Sequence, residues 1–521
     1  MPELPDGTVR PEHPPRTPLR VLVDRLTDRP EVAAALEGDA ETSVTGISLS
    51  SQRIRPGDLY AALPGSRAHG IAYLDDAVAA GAVAVLTDPE GAAALGGRRP
   101  AVVVDRPRDV LGLVSAEVYG HPTERLRTIG VTGTQGKTTT TRLLESGLQR
   151  AGVPSAVIGT IGTRVLGHDV KTALTTPEAP DLHGLFALMV ERGVEACAME
   201  VSSHALVMGR VDGVVFDVAV FTNLGRDHLD FHADVEDYYR AKASLFTPAR
   251  ARRALVNSAD DFGRRLVEET VLPVRTYAVG ADADWQAVDV VLDPSGSTFT
   301  VVAPDGARIE AACPLPGAFN VENALAAVAA AGEAGLDAAA VAAGIAAGGG
   351  VPGRLEPIDE GQPFLAVVDY AHKPDAVEAA ILALRPLTRG RVIVVLGAGG
   401  DRDPGKRPLM GEIAARLADL LVVTDDNPRS EDPAAIRAAM VEGARAARAE
   451  MARADKGSVV EVGDRRAAIR HALAEARPGD VVLVAGKGHE TGQEVAGVVH
   501  PFDDRDVVRT ELARLASGGP T

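Results

Sequence analysis

Residues 130–141, GVTGTQGKTTTT, have the composition of a phosphate-binding loop. Small side chains let backbone N–H groups approach phosphate oxygens, and a helix that begins near Lys137 would add its positive end. Lys137 would bridge phosphates, and the Thr138 hydroxyl would hold a magnesium ion. The common nucleotide-hydrolase signature has four residues between its first glycine and Gly-Lys-Thr, whereas five separate Gly130 from Gly136 here. The loop therefore predicts phosphate chemistry with a signature of its own.

Two further residues could serve as hard metal ligands, Glu200 in MEVSSHAL and His228 in GRDHLDFH. Mg²⁺ is usually held by a few protein ligands together with substrate phosphates, so a phosphate loop in the same chain favours this interpretation. Taken singly, a histidine after a strand is more often a hydrogen-bonded loop residue than a ligand. Asp227 and Asp230 could serve instead, and the spacing does not choose among them.

Lys242, in YYRAKASLF, has no role that its neighbours in the sequence predict. A lysine beside aromatic residues on a presumed helix usually lays its aliphatic chain along apolar surface and keeps its ammonium in water. That is the expectation from the residues alone.

Charged clusters near the C-terminus contain the residue types expected of a site that binds a zwitterion. Arg402, in GAGGDRDPGKR, and Arg429, in DDNPR, could bind carboxylates with two prongs, while Asp426 and Glu490 could receive ammonium groups. An amino acid with more than one charged end would fit. A dinucleotide site is weakened because Arg402 stands where the third glycine of that fingerprint belongs.

The polar clusters share one position relative to the elements that must hold them. Each of seven clusters follows an apolar run typical of a buried strand: LRTIGV, ACAME, FDVAVFTNL, LAVVDY, RVIVVLG, LLVVT and DVVLVAG. In open α/β sheets, ligands bind at the carboxyl ends of the strands. Ordinary strand-to-helix turns would explain one or two of these clusters, but they are a poor explanation for all seven. The pattern predicts two doubly wound domains, each with a site along one rim.

The length of 521 residues predicts about three domains at roughly 100 to 200 residues each. Residues 1–18 are proline-rich and polar and predict a disordered leader. A small α/β domain is expected over 19–124 and a longer region of alternating strands and helices over 125–353. The glycines and proline of AAGIAAGGGVPGR suit a boundary before the last domain, 354–521.

The composition excludes several classes of protein. A net charge of -18 argues against nucleic acid or an anionic membrane surface as the main partner. The two cysteines, Cys197 and Cys313, are far apart and support neither a disulfide framework nor a cysteine-based zinc site. No apolar run reaches the about 20 residues that cross a bilayer, and no signal-peptide core is present, so a cytoplasmic protein is expected.

Together, the motifs resemble those of the Mur ligases along nearly the whole chain after the leader. The matching segments are GTQGKTTT, EVSSHAL, TNLGRDHLDFH, YYRAKASLF, PGAFNVENALAA, GVPGRLE, VDYAHKPDA, GGDRDPGKRPLMG, DDNPR and AGKGHETGQ. The phosphate loop and DHLD indicate the superfamily. DNPR resembles the signature of the members that add diaminopimelate rather than lysine.

The resemblance implies an α/β enzyme with a small UDP-binding domain, a central P-loop ATPase domain with a mostly parallel sheet, and a Rossmann-like C-terminal domain. ATP would phosphorylate the D-glutamyl side-chain carboxylate of UDP-N-acetylmuramoyl-L-alanyl-D-glutamate. The amine of diaminopimelate would then attack the acyl phosphate, with two magnesium ions neutralising charge. The implied setting is cytoplasmic peptidoglycan precursor synthesis by a monomer.

The resemblance also implies roles for individual residues. Lys137, His228 and Lys242 would be catalytic, and Lys242 would be the lysine that family members carbamylate. The metal ligands would be Thr138, Glu200 and His228. The ATP site would comprise Gly133, Thr134, Gln135, Gly136, Lys137, Thr138, Thr139, Asn320, Asn323, Arg354 and Asp369. The UDP-sugar dipeptide would contact Ser51, Thr175, Thr176, Ser202 and Arg210. The amino acid would contact Arg402, Asp426, Asn427, Arg429, Gly486 and Glu490.

Other functions compete with this one. One is another amide ligase of the superfamily, either the enzyme that adds D-alanyl-D-alanine or folylpolyglutamate synthase, and the DNPR segment and the N-terminal domain argue against both. A non-ligase nucleotide-binding ATPase would keep the loop without needing the other charged sets. At Arg429, the alternative is a side chain that only braces its loop against Asp425 or Glu431.

Overall fold

The structure is a computed structural model that describes residues 10–172, 174–225, 227–228, 231–451 and 457–517. It has the predicted α/β fold with mostly parallel sheets. The chain divides into two compact units, Met1–Gln286 with Leu325–Gly344, and Ala287–Ala324 with Ile345–Thr521. The division into three domains remains a proposal. Among the described residues, no helix is long and apolar enough to cross a membrane.

The strands, in chain order, are β1 (Thr17–Pro18), β2 (Ala34–Glu37), β3 (Ser43–Val44), β4 (Gly46–Ser48), β5 (Asp58–Ala61), β6 (Ala84–Thr87), β7 (Ala101–Val104), β8 (Arg127–Thr132), β9 (Ser155–Ile158), β10 (Thr163–Val165), β11 (His168–Val170), β12 (Ala196–Glu200), β13 (Val218–Phe221), β14 (Ala254–Asn257), β15 (Val274–Val279), β16 (Trp285–Asp293), β17 (Gly296–Val302), β18 (Arg308–Cys313), β19 (Glu356–Ile358), β20 (Leu365–Asp369), β21 (Val392–Leu396), β22 (Leu420–Val423), β23 (Ser458–Glu461), β24 (Val481–Ala485), β25 (Gly492–Val495) and β26 (Val498–Pro501).

The helices are α1 (Leu19–Thr27), α2 (Leu74–Ala79), α3 (Pro89–Leu95), α4 (Pro107–Val118), α5 (Lys137–Arg150), α6 (Ala179–Glu191), α7 (Ser203–Val207), α8 (Val235–Ala243), α9 (Asp261–Glu269), α10 (Ala318–Glu333), α11 (Ala338–Ala346), α12 (Pro374–Leu384), α13 (Lys406–Leu417), α14 (Pro433–Glu450), α15 (Arg465–Glu475) and α16 (Asp504–Ala516). Short 3-10 helices are formed by Ser51–Arg53, Gly70–Tyr73, Pro122–Arg125 and Arg385–Leu387.

The first unit begins with a five-stranded sheet in the order β2-β7-β6-β5-β4, which is parallel except for β2. The prediction of a disordered leader is wrong for residues 10–18. Arg10 is buried, forms a 2.6 Å ion pair with Asp58 and donates to the Ile47 carbonyl, and β1 pairs with β3. The polar composition concealed an arginine whose partner lies 48 residues away, a pairing that composition does not reveal. Residues 1–9 lie outside the described residues.

The second sheet of the first unit carries the phosphate loop. It is part of an eleven-stranded sheet in the order β11-β10-β9-β12-β8-β13-β14-β15-β16-β17-β18, in which the neighbouring strands β9, β12, β8, β13, β14 and β15 are parallel. These strands are short apolar runs, as expected for a parallel sheet that is buried on both faces. β8 lies between β12 and β13, so three of the predicted polar clusters begin at neighbouring strand ends. The crevice outside such a carboxyl edge is where open α/β sheets bind ligands.

The second unit contains a six-stranded sheet in the order β19-β20-β24-β21-β22-β23, parallel except for β19. Its central strands β20, β24, β21 and β22 are almost wholly Val, Leu, Ile and Ala and are buried. The other four predicted polar clusters follow these four strands and therefore share one edge of the sheet.

Candidate functional site

Strand β8 leads into a phosphate loop whose backbone requires glycine. Gly133 and Gly136 have φ values of +150° and +86°. A Cβ atom on Gly133 would lie 1.9 Å from the Thr222 hydroxyl oxygen, so no larger residue fits there. Helix α5 begins at Lys137, directly after Gly136, as the sequence predicts. The first N–H groups of α5 and its positive dipole end therefore face the loop.

The segment after β13 holds the phosphate loop in place. The Thr134 N–H donates to the Asn223 carbonyl at 2.9 Å, and the Gln135 N–H donates to Asn223 Oδ1 at 2.9 Å. The Thr222 hydroxyl donates to the Gln135 carbonyl at 2.6 Å. Sequence reasoning missed this role of Thr222 and Asn223, although both belong to the quoted TNLGRDHLDFH segment. The loop conformation is thus set by the neighbouring strand before any phosphate binds.

Two lysines converge on one carbonyl of the loop. Lys137 Nζ donates to the carbonyl oxygens of Gly133 and Thr134 at 2.7 and 3.0 Å, and Lys242 Nζ donates to Gly133 O at 2.8 Å. Lys242 is buried, and its ammonium lies 4.4 Å from the centre of the Tyr238 ring. The expectation that Lys242 keeps its ammonium in water is therefore wrong. Helix α8 turns this side chain inward, where its partner is 109 residues away in the sequence.

Glu200 is the last residue of β12 and is buried beside the start of the loop. It pairs in register with Val131 of β8. Its Oε1 accepts the Thr160 N–H at 2.8 Å, and its Oε2 accepts the Thr160 hydroxyl at 3.0 Å. A Cβ atom on Gly159 would lie 2.3 Å from Oε1. Sequence reasoning missed this turn, GTIG, whose glycines were the available signal.

Arg142 ties the GTIG turn to the phosphate-loop helix. This buried residue of α5 donates through one guanidinium nitrogen to the carbonyls of Ile161 and Gly162 at 3.0 and 2.8 Å. The two carbonyls directly follow Thr160. The helix that carries Lys137 and the turn that orients Glu200 therefore form one connected support.

His228 lies in the segment after β13 with a φ of +53°, a conformation that histidine adopts uncommonly. Its Nε2 is 3.4 Å from Asp227 Oδ2, and its ring packs edge-on against His204 with centroids 4.9 Å apart. Asp230, the other candidate, lies outside the described residues. Within the described ranges, no group of three or more His, Cys, Asp or Glu side chains is arranged to hold a metal by itself.

Thr138 and Glu200 nonetheless have the donor chemistry that Mg²⁺ prefers. Thr138 is a buried hydroxyl in the first turn of α5, and Glu200 is a buried carboxylate at the end of the adjacent strand. Mg²⁺ keeps several waters and takes one or two carboxylates plus phosphate oxygens, so it does not need a cage of protein ligands. These residues fit such an ion.

Four of the predicted UDP-substrate residues are linked to Glu200 by hydrogen bonds, either directly or through Thr160 or Thr176. The Thr175 and Thr160 hydroxyl oxygens are 3.3 Å apart, and the Thr176 hydroxyl donates to the Glu200 carbonyl at 2.9 Å. The Ser202 N–H donates to the Thr176 hydroxyl oxygen at 3.4 Å. Arg210, the fourth, donates to the Thr176 carbonyl at 3.5 Å. Ser51 opens a 3-10 helix that follows the five-stranded sheet.

Arg210 is also held by a carboxylate that sequence reasoning missed. Its Nε donates to Glu178 Oε1 at 2.8 Å, and Arg108 of α4 donates to Glu178 Oε2 at 2.8 Å. Glu178 thus links the segment that follows the five-stranded sheet to the substrate residues at the second sheet. A bound anionic substrate would compete with Glu178 for the Arg210 guanidinium.

The predicted nucleotide residues of the second unit lie at the start of α10 and at the end of β20. Asn320 Nδ2 donates to the Pro316 carbonyl at 2.8 Å, and Asn323 Nδ2 donates to Asn320 Oδ1 at 3.1 Å. Asp369 accepts the N–H groups of Leu355 and Ala371 at 2.7 and 2.8 Å. Burial raises the pKa of Asp369.

Arg354 lies near Asp369 in the same unit. Its guanidinium is 4.7 Å from the centre of the Tyr370 ring, in a cation–π contact. The positive charge of Arg354 opposes the effect of burial on the pKa of Asp369.

The predicted amino-acid residues belong to a hydrogen-bond network with a lysine that sequence reasoning missed. Asn427 Nδ2 donates to Glu490 Oε2 at 2.8 Å. Lys487, which is fully buried, donates to Asn427 Oδ1 at 3.0 Å and to Glu490 Oε2 at 3.1 Å. The signal was the lysine of KGHE, three residues before Glu490. Gly486 has a φ of +122°, and a Cβ there would lie 2.4 Å from Asp426 Oδ2.

Arg429 does brace its loop, but not against the carboxylates that the alternative named. Its NH1 donates to the Gly400 carbonyl at 2.7 Å, and its Nε is 3.4 Å from Glu494 Oε2. Asp425 pairs with Arg437, and Glu431 pairs with Arg407. The alternative is therefore wrong about the partners.

The side chain of Arg429 is about a quarter exposed, at 23 %, and could still reach a ligand carboxylate. Arg402 is exposed on the neighbouring loop, where it donates to the Asp401 carbonyl at 3.2 Å.

Comparison with known proteins identifies matching families along most of the chain. Residues 43–119 match the Mur ligase family, catalytic domain; residues 131–331 match the Mur ligase middle domain; and residues 353–488 match the Mur ligase, glutamate ligase domain. A UDP-N-acetylmuramoyl-L-alanyl-D-glutamate 2,6-diaminopimelate ligase of Streptomyces avermitilis is 56% identical over 511 residues, which cover 97% of this chain and 98% of the relative.

Two solved structures are similar to this chain. A structure of UDP-N-acetylmuramoyl-L-alanyl-D-glutamate 2,6-diaminopimelate ligase is 34% identical with a TM-score of 0.68 and covers 92% of this chain and 97% of that one. The D-alanyl-D-alanyl ligase of Acinetobacter baumannii, which covers 96% of this chain and 99% of that one, is 21% identical with a TM-score of 0.61. The second likeness shows the fold alone.

Proposed function

The chain belongs to the Mur ligase family, and we propose that it is the ATP-dependent amide ligase that joins diaminopimelate to UDP-N-acetylmuramoyl-L-alanyl-D-glutamate. One observation carries the choice of amino acid. At the carboxyl edge of the second unit's sheet, Arg429 lies two residues after Asn427, which is hydrogen-bonded to Lys487 and to the partly exposed Glu490. A guanidinium and a carboxylate on loops at one sheet edge suit a ligand with both a distal carboxylate and an ammonium group.

The reaction has two steps, phosphoryl transfer and amide formation. The γ-phosphoryl group of ATP is transferred to the D-glutamyl side-chain carboxylate, which gives an acyl phosphate and ADP. The diaminopimelate amine then attacks the acyl carbon, the C–O bond to phosphate breaks, and the amine loses a proton as the amide forms. Lys137 and the loop N–H groups bind and orient the phosphates, because phosphoryl transfer depends mainly on positioning and charge stabilisation.

We assign Thr138, Glu200 and His228 to Mg²⁺, and the family implies two ions. Bound Mg²⁺ neutralises negative charge on the transferring phosphoryl group. Thr160 orients the Glu200 carboxylate through its two hydrogen bonds, and Arg142 fixes the turn that carries Thr160.

We propose that Lys242 is carbamylated in the active protein. Its ammonium would first lose a proton, and the free amine would then add to CO₂ and lose a second proton, which converts a buried cation into a carboxylate. The support is its position: the side chain is buried, and its nitrogen lies 2.8 Å from Gly133 O at the loop. A carboxylate there could hold or orient a cation beside the phosphates.

The remaining assignments follow the same logic. Asn320, Asn323, Arg354 and Asp369 would contact the nucleotide, while Ser51, Thr175, Thr176, Ser202 and Arg210 would contact the UDP-sugar dipeptide. Arg402, Asp426, Asn427, Arg429, Gly486 and Glu490 would contact diaminopimelate. We propose that the protein acts as a cytoplasmic monomer in peptidoglycan precursor synthesis.

Phosphate release tests whether the protein is a ligase. Purified protein is supplied with ATP and Mg²⁺, and the UDP-dipeptide and diaminopimelate are left out in turn. We expect phosphate release only when both are present, because the acyl phosphate needs a carboxylate to form and an amine to resolve. Equal phosphate release with neither acceptor nor amino acid would identify a simple ATPase. Phosphate release that instead requires D-alanyl-D-alanine and the nucleotide that already carries diaminopimelate would identify the rival ligase.

Arg429→Ala tests the amino-acid assignment. A charged hydrogen bond to the distal carboxylate contributes about 1.5 to 3 kcal/mol, so the KM for diaminopimelate should rise about tenfold or more. The KM for ATP should stay near that of the wild type. The preference for diaminopimelate over L-lysine should narrow, since lysine lacks this carboxylate. Steady-state kinetics with both amino acids give the ratio.

Glu494→Ala is the matched control, because it removes the same ion pair from the other side. If Arg429 binds the ligand, only Arg429→Ala narrows the preference. If both variants keep the wild-type ratio, Arg429 does no more than brace the loop, and the assignment of diaminopimelate loses its main structural support.

A further inference from the structure

We propose that Arg465 is a positioning residue that fixes the separation of the two loops of the amino-acid site and thereby sets amino-acid selectivity. This inference rests on the proposed function, because it deepens the same site. Arg465 is the first residue of α15 and belongs to none of the motifs that the sequence singled out. Its side chain is fully buried.

One guanidinium joins the ends of two strands. Arg465 NH1 donates to the carbonyl of Asp425, just after β22, at 3.3 Å. Its NH2 donates to the carbonyl of Ala485, the last residue of β24, at 3.0 Å. The residues that follow these carbonyls are Asp426 and Gly486, both assigned to the amino acid. Arg465 therefore contacts the backbone at the root of each ligand-binding loop.

Asp504 holds the guanidinium in this orientation. Arg465 Nε donates to Asp504 Oδ1 at 2.8 Å, and NH2 donates to Oδ2 at 2.6 Å, with both side chains fully buried. Such a two-pronged pair fixes the plane of the guanidinium as well as its position. Asp504 is the first residue of α16, so the start of a second helix anchors the arrangement.

The two loops lie close to each other at Gly486 and Asp426. A Cβ on Gly486 would lie 2.4 Å from Asp426 Oδ2, and the same Cβ would lie 3.7 Å from Arg465 NH2. The loop with Gly486 continues to Glu490, and the loop with Asp426 continues to Arg429. A small change at the roots would therefore alter the spacing of the groups that must match both ends of one amino acid.

Stability of α15 does not explain an arginine at this position. The positive end of a helix dipole disfavours a cation in the first turn. A buried ion pair is itself weak evidence for stability, since replacing both partners with apolar residues is often neutral. The charge also acts on the site: burial opposes the cationic form, but Asp504, Asp426 and Glu490 favour it, and the pKa of Arg465 is raised.

The test uses the full chain with three substitutions, Arg465→Lys, Asp504→Asn and the double change Arg465→Met with Asp504→Leu. The double change removes both buried charges together, so no uncompensated charge remains to unfold the protein. Each variant is assayed for kcat and for the KM of diaminopimelate, L-lysine, ATP and the UDP-dipeptide. Thermal unfolding is measured in parallel.

We expect the double variant to raise the KM for diaminopimelate by on the order of tenfold to a hundredfold, the scale of a misplacement of about 1 Å. The preference of this variant for diaminopimelate over L-lysine should narrow, while its KM values for ATP and the UDP-dipeptide should stay close to those of the wild type. Arg465→Lys should raise the KM for diaminopimelate less than the double variant does, because a lysine keeps the charge. The KM should still exceed that of the wild type, because a lysine cannot reach both carbonyls and Asp504. Asp504→Asn should change the KM for diaminopimelate and the preference over L-lysine in the same direction as the double variant, but by less.

Arg391→Met is the matched control. Arg391, whose side chain is 29% exposed, pairs with Asp480 at 2.9 Å at the opposite edge of the same sheet, next to the first residues of β21 and β24. The Arg391→Met substitution should leave the KM for diaminopimelate unchanged. The proposal is overturned if every folded Arg465 and Asp504 variant keeps the wild-type diaminopimelate KM and selectivity, or if all KM values rise together. Failure of the wild type to use diaminopimelate would instead overturn the proposed function.

Discussion

Replacing Lys137 with alanine is expected to abolish ligation while the protein stays folded. The Lys137 ammonium donates hydrogen bonds to the backbone carbonyls of Gly133 and Thr134 in its own loop. It lies at the first position of α5, outside the apolar core. Removing one group that stabilises developing charge lowers turnover by about a hundredfold to a thousandfold or more. Steady-state phosphate release and amide formation measure the loss.

Arg150→Ala is the control for Lys137→Ala, because it removes a cation from the exposed last turn of the same helix. It should leave turnover and thermal stability near wild type. Turnover by the Lys137 variant comparable with that of the wild type would contradict the assignment of the loop. A large drop in its unfolding temperature would show that Lys137 supports the fold rather than the phosphates.

Replacing Lys242 with alanine is expected to remove activity, and added chloride or short carboxylates should partly restore it. The reason is the proposed carbamate: small anions could occupy the space that the missing carboxylate leaves near Gly133. Lys242→Arg is the sharper variant, because it keeps a cation but has no amine that can react with CO₂. We expect Lys242→Arg to be inactive and not to be rescued by bicarbonate.

Mass spectrometry of the intact wild-type protein, incubated with bicarbonate, offers a second readout. Full activity of Lys242→Arg would show that a positive charge suffices and would end the carbamate proposal. Full activity of Lys242→Ala would remove Lys242 from the mechanism altogether.

Much of the fold could be predicted because its strands are short apolar runs that end at polar clusters. Helix α5 begins at Lys137, where the sequence places it, and the four C-terminal clusters share one sheet edge. Parallel sheets impose this regularity, since the carboxyl ends of neighbouring strands lie side by side. The leader was predicted wrongly because Arg10 is bound by Asp58, and a single long-range ion pair leaves no trace in composition.

The site was less predictable wherever a role depends on a partner far along the chain. Lys242 resembles a snorkelling lysine locally, yet its nitrogen reaches Gly133. Lys487 lies within a quoted motif, but only the fold shows that it binds Glu490 and Asn427. Spacing reveals which residues share a loop or a helix face, whereas the pairing of loops is set by the order of strands in the sheet.

Identification of the product tests most directly whether the protein joins diaminopimelate to the UDP-dipeptide. The purified protein is incubated with ATP, Mg²⁺ and UDP-N-acetylmuramoyl-L-alanyl-D-glutamate, with meso-diaminopimelate, LL-diaminopimelate or L-lysine in parallel reactions, and the nucleotide products are measured by mass spectrometry. We expect a product heavier by one diaminopimelyl residue, formed with one phosphate released per amide and well in excess of any lysyl product. A lysyl product formed as readily as the diaminopimelyl one, or phosphate release without a heavier nucleotide, would contradict the proposed function.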